Sequence, residues 1–151
     1  MISRRQAVKN SAAVTGMLLA AGMLPQSAFA FNKAAFDAKT VADVMKAMGA
    51  GAPTESKDVT LTAPDIAENG AVVPLGAATS LAGVKHMLIL VEKNPNTMVA
   101  SFDVSDAVDA NFLTRAKLGQ TSDVYAVAIT NDGKALYAKK EVKVTLGGCG
   151  G

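Results

Sequence analysis

Residues 122–146 read SDVYAVAITNDGKALYAKKEVKVTL, and this stretch decides the fold that we expect. Valine, isoleucine and tyrosine, which favour strands, are frequent on both sides of a short polar interruption, Asn131-Asp132-Gly133. The Asp-Gly pair supplies the positive φ that a tight hairpin needs. The stretch therefore predicts two long antiparallel strands joined by a turn at residues 131–133.

Two strands are predicted further towards the N-terminus, after a GAGAPTES linker. The first covers residues 59–63, where apolar and polar side chains alternate until Pro64 ends the run. The second has the sequence AVVPLGA at residues 71–77. Its Pro74 lacks a backbone N–H, which suits an edge strand or a bulge.

Three more strands are predicted between these and the long hairpin. The segment VKHMLILVE at 84–92 becomes apolar on both faces after Met87, as expected of a strand in the centre of a packed sheet. Asn94-Pro95-Asn96 is a turn, so TMVASFDV at 97–104 is expected to be its hairpin partner. Another strand is predicted at 112–118.

One short amphipathic helix is predicted before the strands, in the segment FDAKTVADVMKAMG at residues 36–49. Its apolar residues recur at helical spacing and Gly49 provides a stop. The apolar stripe comprises Phe36, Val41, Val44, Met45 and Met48, and the polar side comprises Lys39, Asp43 and Lys46. Such a stripe favours packing against a core over binding a cofactor.

These patterns predict an all-β fold, an immunoglobulin-like antiparallel β-sandwich with one short N-terminal helix. Seven strands separated by turn signals, without alternation of strands and helices, are typical of that class. The chain has one cysteine and no tryptophan, so the disulfide and the tryptophan of antibody domains are both missing. The sequence contains no evident internal repeat.

Residues 1–30 read MISRRQAVKNSAAVTGMLLAAGMLPQSAFA and predict a secretory signal peptide. A basic start is followed by an apolar run too short for a membrane span and by the small-x-small ending Ala28-Phe29-Ala30. Arg4 and Arg5 resemble a twin-arginine export signal, although Ala7 stands where that motif prefers phenylalanine. Phe31, rather than a lipid-accepting cysteine, follows the cleavage point. We therefore expect a soluble mature protein in the bacterial periplasm.

The mature chain is close to neutral and has the length of one domain. Cleavage takes away three of the 15 basic residues, Arg4, Arg5 and Lys9, and none of the 13 acidic residues, which leaves a net charge of −1. A neutral surface provides no field for gathering a phosphate backbone, so nucleic acid is not an expected partner. We divide the mature chain into a sandwich domain at 31–146 and an arm at 147–151.

The body of the chain shows no pattern typical of a catalytic or metal site. Blue-copper and zinc sites need more nitrogen and sulfur ligands than one histidine, His86, and one cysteine supply. A lone histidine on an alternating strand is more often a surface or partly packed residue than a base or ligand. Asp103, Asp106 and Asp109 could offer oxygen to calcium, but their spacing and the missing glycine favour a solvated loop. We predict no catalytic residue, metal or cofactor.

The chain ends in GGCGG, with Cys149 flanked by Gly147, Gly148, Gly150 and Gly151. Because glycine lacks Cβ and loses much backbone entropy when it is fixed, we expect a mobile arm beyond a last strand that ends near Leu146. Three residues extend the thiol about 10 Å from that strand. A thiol without a flanking base has a reference pKa of about 8.5, which suits a covalent attachment point better than a catalyst.

A terminal GGCGG that holds the only cysteine, on an exported sandwich domain of this size, resembles the SoxY family of the Sox thiosulfate-oxidation system. The resemblance implies a sulfur carrier rather than an enzyme, with Cys149 holding the cargo. It implies that the haem enzyme SoxAX joins thiosulfate to the cysteine sulfur and that the manganese-containing hydrolase SoxB removes sulfate. It also implies a SoxZ subunit as heterodimer partner and, in organisms that possess it, oxidation of the remaining sulfane by the molybdenum enzyme SoxCD.

Two functions of other classes stay open at this point. Cys149 could form an intermolecular disulfide in a periplasmic binding or adhesion module, although a mobile end forfeits the entropy that a disulfide exploits. The chain could also be a thiol enzyme, which would require turnover by the isolated protein. Sulfur adducts on Cys149 would favour the carrier over the module, which would instead form a stable disulfide-linked homodimer.

Overall fold

The computed structural model describes Gln6 and residues 32–146, and it is a β-sandwich with a helical layer. The predicted signal peptide at 1–30, apart from Gln6, and the predicted arm at 147–151 lie outside the described residues. In chain order the elements from residue 32 onward are α1 (Lys33–Asp37), α2 (Val41–Ala47), β1 (Thr54–Glu55), β2 (Val59–Thr62), β3 (Ile66–Asn69), β4 (Val73–Thr79), β5 (Val84–Val91), β6 (Met98–Asp103), β7 (Asn111–Ala116), β8 (Ser122–Thr130) and β9 (Ala135–Leu146).

Two sheets form the sandwich. The larger sheet has the strand order β1-β9-β8-β5-β6, with β3 also paired to β9, and the smaller sheet has the order β2-β4-β7. All pairs are antiparallel except those that β1 and β3 make with β9. The prediction of an antiparallel β-sandwich is confirmed.

The β8–β9 hairpin forms where the sequence predicts it. Its register runs from Ser122 opposite Val142 to Ile129 opposite Ala135. Gly133 in the turn has φ 81°, a left-handed conformation that residues with a Cβ adopt only with strain. The Asp-Gly pair therefore identifies the turn for a physical reason, because glycine occupies the position that needs positive φ.

Strand β5 is the centre of the fold, as its uninterrupted apolar sequence predicts. It lies between β6 and β8 in the larger sheet, and every residue from Met87 to Val91 is buried. Met87, Ile89 and Val91 belong to the core between the two sheets. Leu88 and Leu90 point to the other side, where they pack in a second cluster with Val44 and Met45 of α2.

The prediction of a single helix over 36–49 is wrong, because two helices occupy this segment. Ala38 adopts an extended conformation after α1, and Thr40 caps the start of α2 by accepting a hydrogen bond from the Asp43 backbone N–H over 3.1 Å. Threonine is a strong N-cap residue, so it restarts the helix at that point. The predicted apolar stripe does pack against the core through Val44 and Met45.

Two strands were not predicted. Strands β1 and β3 contain two and four residues, and only Ala67 of β3 is buried among them. Such short and mostly exposed segments lack the alternation that identifies a strand. The expectation of an edge strand or a bulge at Pro74 is wrong, because β4 is the middle strand of the smaller sheet and pairs with β7 without a shift in register. The proline is tolerated because β2 pairs with β4 only from Gly76 onward, so Pro74 has a paired strand on one side only.

Candidate functional site

The last strand is held by a neighbouring strand up to its final residue. Antiparallel pairing of β9 with β8 ends at Val142. From there β3 continues on the other side in parallel register, from Ile66 opposite Lys143 to Asn69 opposite Leu146. The Lys143 backbone N–H also donates to the carbonyl oxygen of Asp65 over 3.0 Å. The chain is thus fixed immediately before Gly147.

Two threonine hydroxyl groups add to this attachment. The Thr145 hydroxyl donates to the carbonyl oxygen of Glu68 over 3.1 Å, which ties β9 to β3. On the opposite side, the Val144 backbone N–H donates to Oγ1 of Thr121 over 3.0 Å. Strand β9 is therefore bonded on both sides within three residues of its end. We call the segment made of residues 143–146 and its contacts with β3 and Thr121 the anchor.

The anchor limits where the thiol of Cys149 can go. Cys149 is three residues beyond Leu146, and three extended residues span about 10 Å. Cys149 itself and the four glycines, Gly147, Gly148, Gly150 and Gly151, lie outside the described residues. Whatever course they take, the thiol stays within that radius of the end of β9.

A charged contact supports the segment that leads into β3. The Lys140 ammonium lies 2.8 Å from the Asp65 carboxylate and donates to the carbonyl oxygen of Ala63 over 2.9 Å. The hydrogen bond from Lys140 and its charge lower the pKa of Asp65, and Lys143 adds to this effect. Because Asp65 is exposed, we regard the contact as an orienting interaction rather than a large source of stability.

His86 lies far from the anchor. Its Nδ1 is 2.7 Å from an Asp103 carboxylate oxygen on the neighbouring strand, and its side chain is partly buried. The prediction of a partly packed histidine is confirmed. In the register of the sheet His86 is level with Ile129 and Ala135, eleven residues from Leu146 along β9. That is about 36 Å at roughly 3.3 Å per residue. His86 of the same chain therefore cannot act as a base for Cys149.

The acidic segment after β6 is a surface loop, as predicted. Asp106 and Asp109 are exposed, while Asp103 is the last residue of β6 and bonds His86. Within residues 32–146 we find no group of three or more histidine, cysteine, aspartate or glutamate side chains that could hold a metal ion. The same part of the chain contains no helix that is long and apolar enough to cross a membrane.

Comparison with known proteins identifies the family. The family model described as sulfur oxidation protein SoxY matches residues 44–149, which is well over half of the chain. The chain belongs to the SoxY family. The SoxY match begins in α2, includes every strand and ends on Cys149, the only cysteine. No curated protein sequence matches the chain.

A solved structure of a SoxY protein agrees with this assignment. The sulfur carrier protein SoxY from Chlorobium limicola f thiosulfatophilum is 38% identical, with a TM-score of 0.56 over 62% of this chain and 84% of that one. A superoxide reductase (neelaredoxin) from Ignicoccus hospitalis is 16% identical, with a TM-score of 0.51 over 57% of this chain and 78% of that one. The second similarity shows a common fold only.

The anchor is the part of the site that the sequence alone did not reveal. Thr121 and Thr145 are unremarkable in sequence, and their hydroxyl groups matter only because β3 and the turn before β8 meet the end of β9. The one available signal was the length of β9, which continues four residues past the last residue paired with β8.

Proposed function

We propose that this SoxY-family chain is a periplasmic sulfur carrier that holds thiosulfate-derived groups covalently on the Sγ atom of Cys149. The observation that carries the proposal is that the family match continues through the glycine-rich end and stops on the only cysteine. A family resemblance confined to the sandwich would support a common fold without a common chemistry. A match that includes the cysteine supports both.

The anchor supports this function physically. A carrier needs a body that stays folded while its end enters the active sites of other proteins. Bonding of β9 up to Leu146 keeps the body folded as far as the residue before the predicted arm. The glycines of that arm are slim and accept both signs of φ, so the thiol and a group bonded to it fit a narrow channel. The signal peptide predicted at residues 1–30 supports the periplasmic location.

The loading step that we propose is an oxidation. The Cys149 thiol loses its proton, and its sulfur forms a disulfide bond with the outer sulfur of thiosulfate, giving a cysteine S-thiosulfonate. Two electrons leave in this step and are accepted by the haem enzyme SoxAX. Water, activated in SoxB, then cleaves the bond to the sulfonate sulfur. This step releases sulfate and leaves a persulfide on Cys149, which SoxCD would oxidise further where it is present.

Partner enzymes supply the activation in this scheme, and the chain supplies the attachment point. A free thiol is only a few per cent ionised near neutral pH, and the sole histidine of this chain lies too far away to act as a base. We propose SoxZ as the heterodimer partner, with transient contacts to SoxAX, SoxB and SoxCD. The chain itself acts as a carrier and requires no cofactor.

Intact-mass measurement tests the proposal. Mature protein is purified under non-reducing conditions from the native bacterium grown on thiosulfate and from matched cells grown without it. We expect added masses of one sulfur or one thiosulfonate group, located on Cys149 by fragmentation. Cys149→Ser should fold normally and lose both the adducts and thiosulfate-dependent growth. A stable Cys149–Cys149 dimer without adducts would instead support a disulfide-linked module, and thiosulfate turnover by the isolated chain would indicate an enzyme.

A further inference from the structure

The outward face of the smaller sheet carries small side chains on β4 and larger ones on β7. In β4, Val73, Leu75 and Ala77 point into the core, so the residues between them, Pro74, Gly76 and Ala78, point away from it. In β7 the outward residues are Asn111, Leu113 and Arg115, which pair with Ala78, Gly76 and Pro74. Leu113 is 76% exposed, which is unusual for a leucine in a strand.

Gly76 lets the Leu113 side chain lie close against β4. A Cβ at position 76 would lie 2.6 Å from Cδ2 of Leu113 and 3.1 Å from Cβ of Thr62, so a larger residue would displace the Leu113 side chain. Beside Leu113 lies a groove with a volume of about 820 Å³. We define it by Thr62, Pro64, Pro74, Leu113 and Arg115, which line it. Its centre is apolar, and its end is marked by a cation.

A basic cleft continues from that end. Arg115 also lines a second cavity of about 460 Å³, together with Asn94, Asn96, Val99 and Lys117. This cleft separates the edge of β7 from the edge of β6, the outer strands of the two sheets. Neither Arg115 nor Lys117 forms an ion pair with any residue in the described part of the chain.

The charged side chains that line the groove and the basic cleft are all basic. No aspartate or glutamate lines the groove or the basic cleft. At the opposite end of β7 the cavity beside Asn111 is lined by two acidic residues, Asp58 and Asp109, and one basic residue, Lys57. The outward face thus changes from positive to net negative charge along one strand of about 20 Å, at roughly 3.3 Å per residue. A partner with the matching charge would be held in one orientation.

We propose that the groove and the basic cleft together form a docking surface for an acidic segment of a partner protein. An apolar side chain of that segment would cover Leu113 and Pro74, and one or more of its carboxylates would lie beside Arg115 and Lys117. An apolar centre with an arginine at its border is the arrangement typical of protein interfaces. The surface differs from the Cys149 arm, and the proposal does not depend on the chemistry of the thiol.

Site-specific photocrosslinking in the native bacterium tests this proposal. A benzophenone amino acid replaces Leu113 in the full-length chain, and a matched control carries it at Asn111, on the same face at the acidic end. We expect the probe at 113 to crosslink at least tenfold more than the probe at 111. The crosslinked peptide, sequenced by mass spectrometry, should contain an apolar residue close to aspartate or glutamate.

Charge exchange then tests the electrostatic part. Arg115→Glu, in a chain with the probe at 113, should reduce the crosslink at least tenfold, while Arg115→Lys should retain most of it. Replacing the identified partner carboxylate by lysine should restore the crosslink to Arg115→Glu. Thermal unfolding of each variant shows whether the fold is retained, which the exposure of Leu113 and Arg115 leads us to expect.

Several results would overturn the proposal. These are equal yields from positions 113 and 111, a crosslink to a second copy of this chain, a partner segment without carboxylates, no crosslinked protein, and no effect of Arg115→Glu. Intact mass of Cys149 measured in the same cells separates this proposal from that of the carrier. Adducts without the crosslink would contradict only the docking surface, and the crosslink without adducts would contradict only the carrier.

Discussion

Asn69 of β3 lies opposite Leu146 of β9 in parallel register, so the last residue of the final strand has a bonded neighbour. The last residues of a terminal strand usually fray, because their backbone groups can bond to water instead of to a neighbouring strand. Here the pairing continues to the residue before the glycines begin. The folded body is therefore hydrogen-bonded up to the last residue before the predicted arm.

The first prediction concerns the anchor. Thr145→Val and Thr121→Val each remove a hydroxyl group that bonds the last residues of β9. We expect each to reduce the free energy of unfolding by about 1 kcal/mol and to speed amide exchange at residues 143–146 in particular. Hydrogen-exchange mass spectrometry measures the second effect. Thr60→Val is the matched control, because Thr60 is an exposed strand threonine whose hydroxyl makes no such bond. Uniform exchange changes across the sandwich would contradict a local anchor.

The second prediction concerns the width of the arm. Under the proposed function, Gly148→Val or Gly150→Val places a branched side chain beside the thiol that must enter partner active sites. We expect an unchanged unfolding temperature and at least a tenfold lower rate of thiosulfate oxidation with the purified partner enzymes. Gly119→Val is the matched control, since a side chain at this glycine of the body meets no atom within 4 Å. Oxidation rates equal to those of the unsubstituted protein would exclude a narrow entry channel in the partner enzymes.

The third prediction concerns the hairpin that decides the fold. Gly133 has φ 81°, and alanine at this position would be strained by about 1–2 kcal/mol. We expect Gly133→Ala to lower the unfolding temperature by several degrees. Gly119→Ala should have little effect, because Gly119 has neither a positive φ nor a neighbour in the way. Similar unfolding temperatures for the two variants, measured by calorimetry, would mean that the turn accommodates alanine without loss of stability.

The fourth prediction concerns pH. The Lys140 ammonium lowers the pKa of the Asp65 carboxyl group, so the folded state favours the ionised form. Its contribution to stability is present above the unfolded pKa of about 3.9 and is lost as the pH falls through the lower folded value. NMR titration of the Asp65 carboxyl carbon should show the lowered pKa, and Lys140→Gln should raise it. Lys57→Gln, at an exposed lysine that forms no ion pair with Asp65, should leave the pKa of Asp65 unchanged. No difference between the two variants would exclude Lys140 as the cause.

Much of the fold follows from local patterns in the sequence. The two hairpins are predictable because turn residues separate strongly apolar or alternating runs, as at Asn94–Asn96 and at Gly133. The central position of β5 follows from its apolar residues on both faces. In these elements the local preference of the chain and its place in the core agree.

The remaining features depend on contacts between distant parts of the chain. The apolar stripe of the helical segment continues across Thr40, so periodicity hides the N-cap that divides it. Strand β3 exists because the end of β9 lies beside it, and its own sequence, IAEN, has no strand pattern. The groove is lined by Pro64, Pro74 and Leu113, which belong to three separate segments of the chain. No single stretch of sequence contains that information.

The two short parallel strands have one more consequence, for self-association. The outer side of β9 is covered by β1 at Leu136 and Tyr137 and by β3 from Lys143 onward. The uncovered middle carries Lys139, Lys140 and Glu141. A strand from another molecule could not pair there over a long stretch, because few backbone groups are free and the side chains are charged. Covered and charged edges are the means by which sheet proteins avoid edge-to-edge aggregation. The outer edge of β9 therefore does not favour assembly of this protein into fibrils at high local concentration.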